Sequence, residues 1–133
     1  MLDRITAFLS AGRERHDQIF AEAAIELLIL AMYADGQLTM AERKFLDEYG
    51  SALPWHGSAS KDLFIAAAYG RAREVHASGR RKEFIRGIAA RLAKPDDRLQ
   101  LLAACHRLIR SDGDAPDAER EFLADLKVGF ALG

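Results

Sequence analysis

A single cysteine, Cys105, is all that the 133 residues contain. That excludes an intramolecular disulfide and fits a reducing compartment. Long apolar runs are also missing. The longest, Ala21 to Ala34, is interrupted by Glu22 and Glu26 and is too short and too charged to span a bilayer. Near the start, Asp3 and Arg4 precede only a short apolar patch, so no cleavable signal is expected and the chain is expected to be cytoplasmic. Net charge is close to absent as well. The formal value of −1 argues for no particular partner. No stretch alternates with period two for long enough to make a strand, and there is no low-complexity segment or linker. The chemistry-bearing motifs are equally sparse. No phosphate-binding glycine loop and no Ser-His-Asp arrangement is visible. His16, His56 and His76 lack zinc spacing, and the adjacent Cys105 and His106 point to different helix faces. Cys105 reads as a buried structural thiol.

What is present is apolar periodicity. Half of the residues are hydrophobic and 29% are charged, as in an ordinary globular protein, and the length suits one domain spanning 1–133. A short opening helix is expected over Leu2–Ser10, with Ile5, Phe8 and Leu9 on one face, ended by Ala11-Gly12. A long helix from about His16 to Ala34 carries Ile19, Phe20, Ala23, Ala24, Leu27, Leu28 and Ala31, and Gly36 stops it. The next starts at Thr39, where Thr39-x-x-Glu42 has capping-box spacing, and runs through Phe45, Leu46 and Tyr49 to Gly50. After a loop, Trp55 either anchors a partner or covers the end of a core. A helix from Ser60 to Ala77 is expected to bury Leu63, Phe64, Ala67 and Ala68, until Ser78-Gly79 breaks it. Arg80 to Ala93 buries Phe84, Ile85, Ile88, Ala89 and Leu92. Pro95 opens a helix to Arg110 that buries Leu99, Leu102, Ala103, Cys105 and Ile109. A last helix carries Ala118, Phe122, Leu123 and Leu126, followed by an apolar tail from Val128. The fold class is therefore all-α, a compact bundle of about seven helices.

One segment occurs twice. Ala34-Asp35-Gly36-Gln37-Leu38-Thr39-Met40-Ala41-Glu42 is matched by Ser111-Asp112-Gly113-Asp114-Ala115-Pro116-Asp117-Ala118-Glu119 at a constant offset. The match continues through Phe45-Leu46 and Phe122-Leu123. Upstream, Ile25, Leu28 and Met32 align with Leu102, Cys105 and Ile109. This is an internal repeat of helix, Asp-Gly turn and helix, and it packs most simply about a pseudo-two-fold axis. Asp-Gly is a common turn dipeptide, and Glu42 is accounted for by its capping box. Glu119 is not, because Pro116 replaces Thr39 and has neither hydroxyl nor backbone N–H. Asp114 and Asp117 add carboxylate nearby. Four gathered carboxylates repel unless a cation neutralises them or some titrate. Hard divalent ions take such oxygen ligands, although the spacing is not that of an EF-hand.

The doubled motif resembles the TerB-like family, whose members include tellurite resistance proteins and the N-terminal region of DjlA-type co-chaperones. The resemblance runs from about Ile19 to Leu126. It implies a pseudo-symmetric bundle of about seven helices. It implies a divalent-cation site at Asp35, Glu42, Asp112 and Glu119, for Ca²⁺, Mg²⁺, Mn²⁺ or Zn²⁺. It further implies a bacterial or phage-associated role in stress responses, including resistance to tellurite and other toxic agents, and the first reading is a non-enzymatic module. Such a module works with protein partners in larger assemblies, often at a membrane through peripheral association, and no nucleic-acid partner is expected. Pro116, and Arg110 opposite Tyr33, depart from exact repetition.

Two rivals stay open. One is a metal-free protein-interaction module. Between Arg71 and Lys94 lie eight basic residues and two acids, and between Ser111 and Asp125 six acids and one base, so either segment offers a charged docking face or simply a solvated one. The other is an enzyme using paired carboxylates, for which no nucleophile or cofactor motif is present.

Overall fold

Ala21 to Met32 forms a helical segment that is apolar on nearly every side, and the rest of the chain is wrapped around it. A computed structural model describes residues 2–34, 38–111 and 117–131. Its helices are α1 (Leu2–Met32), α2 (Met40–Ala52), α3 (Lys61–Ser78), α4 (Arg81–Arg91), α5 (Pro95–Arg110) and α6 (Asp117–Gly129). No strand occurs among the described residues. Ala23 through Ile29, Glu26 apart, are fully inaccessible. A helix apolar all round has to be central. Accordingly α2, α3, α4 and α5 all pack on α1, and α6 closes the bundle against α4 and α5.

The described residues form six helices where seven were expected. The opening helix and the long helix are one continuous α1, because Gly12 does not terminate anything. Its φ is not positive, so it does not adopt the left-handed conformation that a glycine stop requires. Gly50 likewise lies inside α2, which ends at Ala52. Gly79 does act as expected: its φ of 71° places it in the left-handed region at the end of α3. The Thr39–Glu42 capping box is present, and Pro95 occupies the first turn of α5. Lys61 takes up loose carbonyls at the end of α2, donating to Gly50 O at 2.7 Å and Leu53 O at 2.8 Å.

Several expected core positions are exposed. Leu63 is 66% and Leu99 50% accessible, and Ala67 and Ala103 also face out. Phe64 and Ala68 on α3, and Cys105 and Ile109 on α5, lie inward as expected, joined by Ala72, Leu101, Ala104 and Leu108. Trp55 packs on the core, tilted against Phe64, and its indole N–H donates to Ala59 O at 2.9 Å. Of the tail, Val128 is exposed and Phe130 is buried.

Contacts along the helices fix their directions. Gln18 meets His56, Glu26 meets Arg71 and Tyr33 meets His76, so α1 and the segment through α3 ascend together. His16 bonds Asp97 at 2.8 Å where α5 begins, so α5 starts beside the entry of α1 into the core. The Arg107 guanidinium lies 5.2 Å from the Phe45 ring centroid, which puts the end of α5 beside the start of α2. The ends of α1 and α5, from which both acidic turns leave, therefore lie at one end of the bundle.

Candidate functional site

Helices α1 and α5 run in the same direction, and the helix that follows each in sequence carries a glutamate in its first turn. Glu42 and Glu119 occupy matching positions, and both are 1% accessible. Burial of two carboxylates at the same place in two helices is uncommon, since a buried charge is costly without compensating partners.

Glu42 is held by its cap. Its Oε1 accepts from the Thr39 backbone N–H at 3.1 Å and from Thr39 Oγ1 at 3.0 Å, while Thr39 Oγ1 accepts from the Glu42 N–H at 3.1 Å. Glu119 reaches equal burial in α6, two residues into the helix. Asp117 behaves differently: its carboxylate is fully solvated, 3.6 Å from Arg120, and adds nothing to the buried pair. Asp35, Asp112, Asp114 and Pro116 lie outside the described residues. Among the described residues no group of three or more His, Cys, Asp or Glu side chains gathers as a metal cluster.

The donor chemistry of Asp35, Glu42, Asp112 and Glu119 is oxygen only, which suits a hard divalent ion better than zinc. Cys105 is no soft ligand. It is fully buried, and burial pushes its thiol well above its ordinary value of 9.0, so it stays protonated.

The two helices bury a glutamate at matching sequence positions, but they pack differently. On α2 the buried positions are Glu42, Leu46 and Gly50; on α6 they are Glu119, Phe122 and Leu126. The glutamates match, and the apolar positions beyond them are turned by one residue. The cause is what each helix leans on: α2 faces α1 and α5, whereas α6 faces α4 and α5.

Other polar features escaped the sequence reading. Glu26, buried in α1, bridges Arg71 of α3 at 3.3 Å and Arg91 of α4 at 2.8 Å. Arg81 pairs with Asp125 at 2.8 Å. Three cations of the basic segment are thus engaged within the fold. The available signal was a charge inside an apolar run, which asks for a partner of opposite sign.

The chain belongs to the TerB family: the model for the tellurite resistance protein TerB matches residues 21–133. No curated protein and no solved structure gives a significant match. No helix among the described residues is long and apolar enough to cross a membrane.

Proposed function

We propose that this TerB-family chain is a non-enzymatic, cytoplasmic module of tellurite or chemical stress resistance. In this reading Asp35, Glu42, Asp112 and Glu119 hold a divalent cation that ties the two helix-turn-helix units together. One observation carries it: Glu42 and Glu119 are both buried, at matching positions of the doubled motif, at the end of the bundle from which both turns leave. Glu42 stands in a capping box; in sequence its counterpart has Pro116 in place of the capping threonine, and the two glutamates are equally buried. The cation would act electrostatically, neutralising carboxylates that otherwise repel.

Thermal unfolding in EDTA, and with added Ca²⁺, Mg²⁺, Mn²⁺ or Zn²⁺, tests this directly. An ion at a hundred times its dissociation constant adds about 2.7 kcal/mol, a rise of roughly 10 °C for a domain of this size. The rise should be greatest with an oxygen-preferring ion and vanish in an Asp35→Ala/Asp112→Ala double variant. A melting temperature indifferent to every ion would remove the cation from the proposal.

A second reading, a metal-free protein-interaction module, draws on Arg80, Lys82 and Arg86, which are exposed around the start of α4. It requires partner capture that survives alanine at both aspartates and fails on charge reversal at Arg80 and Arg86.

A further inference from the structure

Helix α1 is much longer than the core it serves. At 1.5 Å per residue its 31 residues span about 46 Å. Burial begins only at Ala21, and from Asp3 to Arg15 every residue but Ser10 is exposed. His16, tied to Asp97, marks the point where the helix joins the bundle. The preceding turns form an arm of about 20 Å, outside the residues that match the family.

This arm is amphipathic, and among the described residues none packs on its apolar stripe. Ile5, Phe8 and Leu9 are 55%, 72% and 56% accessible. Their i, i+3, i+4 spacing puts them on one stripe. Gly12 continues that stripe, and among the described residues nothing beyond its chain neighbours and its own helix backbone lies within 4 Å of where its Cβ would be. The stripe then opens into a cleft of about 300 Å³ at the base of the arm, floored by Gly12, Ile19, Phe20 and Leu92. Its rim carries Arg15 and Lys94, with Arg91 held by Glu26 and Asp97 held by His16.

The charges decide what covers the stripe. At about 100° per residue, Arg4 and Arg15 fall along one flank and Arg13 along the other, while Asp3 and Glu14 fall on the opposite pole. Cations beside the apolar face and anions away from it match a flat, negatively charged, oily surface. A second copy of the arm matches less well. Pairing two arms antiparallel along the stripe brings the Arg4 and Arg15 flank of one against the same flank of the other, arginine facing arginine.

We propose that the α1 arm is a membrane-surface helix that lays Ile5, Phe8 and Leu9 into an anionic lipid bilayer, with Arg4, Arg13 and Arg15 among the headgroups. The arm lies on the bilayer and does not cross it. The bundle is then held at the surface by its base, where Lys94 extends the basic rim.

Flotation of the full chain with vesicles tests the proposal. Phosphatidylcholine vesicles are compared with phosphatidylcholine–phosphatidylglycerol vesicles, all in EDTA so that no cation bridges carboxylates to lipid. The wild type should float with the anionic vesicles, and added salt should weaken it. Phe8→Ser with Leu9→Ser should abolish flotation, with an unchanged melting temperature because neither side chain is in the core. Arg4→Gln, Arg13→Gln and Arg15→Gln together should weaken binding on the order of a hundredfold. Failure to float with anionic vesicles overturns the proposal, as does flotation indifferent to the Phe8/Leu9 change. A concentration-dependent dimer that Phe8→Ser dissolves, without vesicle binding, would give the stripe to a second copy and also overturn it. Because EDTA is present throughout, the outcome is independent of the cation reading.

Discussion

Cys105 shows how burial becomes a measurable quantity at the scale of one residue. Its thiol is fully enclosed, and burial raises its pKa well above the ordinary value of 9.0. The unfolded chain loses this proton near pH 9 and the folded chain keeps it. Stability from this group is therefore intact below pH 9 and falls as pH rises beyond it, by about 1.4 kcal/mol per pH unit. Urea unfolding should show a loss of about 1 kcal/mol between pH 9 and 10 in the wild type and not in Cys105→Val, whatever constant offset repacking introduces. Above pH 10, Tyr49 and Tyr69 add a decline of the same sign, since burial raises both phenols. The buried thiol was readable from sequence because Cys105 stands at an apolar position of the repeat. Glu119 was readable as unusual for the opposite reason, a capping-box glutamate without its threonine.

Among elements, the least obvious connection is made by Arg98. From the first turns of α5 it donates to Ala89 O and Leu92 O, both at 2.8 Å, and to Phe130 O at 3.4 Å. One planar guanidinium thus closes the end of α4 and tethers the end of α6. Close packing reinforces the same junction: a Cβ on Gly129 would lie 2.5 Å from Ile85 Cγ2. Arg98→Ala should cost about 1–3 kcal/mol in urea unfolding, because carbonyls at a packed helix end lose their donor. Arg98→Lys should recover only part of it, since a lysine ammonium lacks the fork that reaches several acceptors. Helix existence was legible from spacing, and so were the ends set by Gly79 and Pro95. Helix faces were less so. Leu63 and Leu99 had the right periodicity and face solvent, because a helix with apolar residues on two sides buries whichever side its neighbour meets. Gly12 misled in another way. Glycine ends a helix when the chain turns there, and here the chain runs straight on into α1.

For the whole molecule, stability is graded along a single helix. Amides from Ala24 to Leu30 lie at the centre of the core, and those from Arg4 to Gly12 lie on an arm without tertiary cover. Hydrogen exchange followed by mass spectrometry should find the first group exchanging only on global unfolding and the second within the earliest time points. Uniform protection along α1 would mean that the arm is already covered in solution. Of the doubled motif, the two glutamates are alike in burial, while the apolar positions beyond them differ. The two copies lean on different neighbours, and a repeated sequence does not by itself dictate a repeated environment.

The central placement of α1 also sets a schedule. Its ring of aliphatic side chains leaves the ribosome well before the helices that cover it. About 80 residues separate Ile25 from Cys105 on α5. At roughly 5–20 residues per second, that is an interval of several seconds in which the future core is an unshielded, adhesive segment. Glu22 and Glu26, the only charges within that ring, are what keep it wettable until Arg71 and Arg91 arrive, so the same carboxylate that later joins three helices first serves as a solubilising guard for the nascent chain.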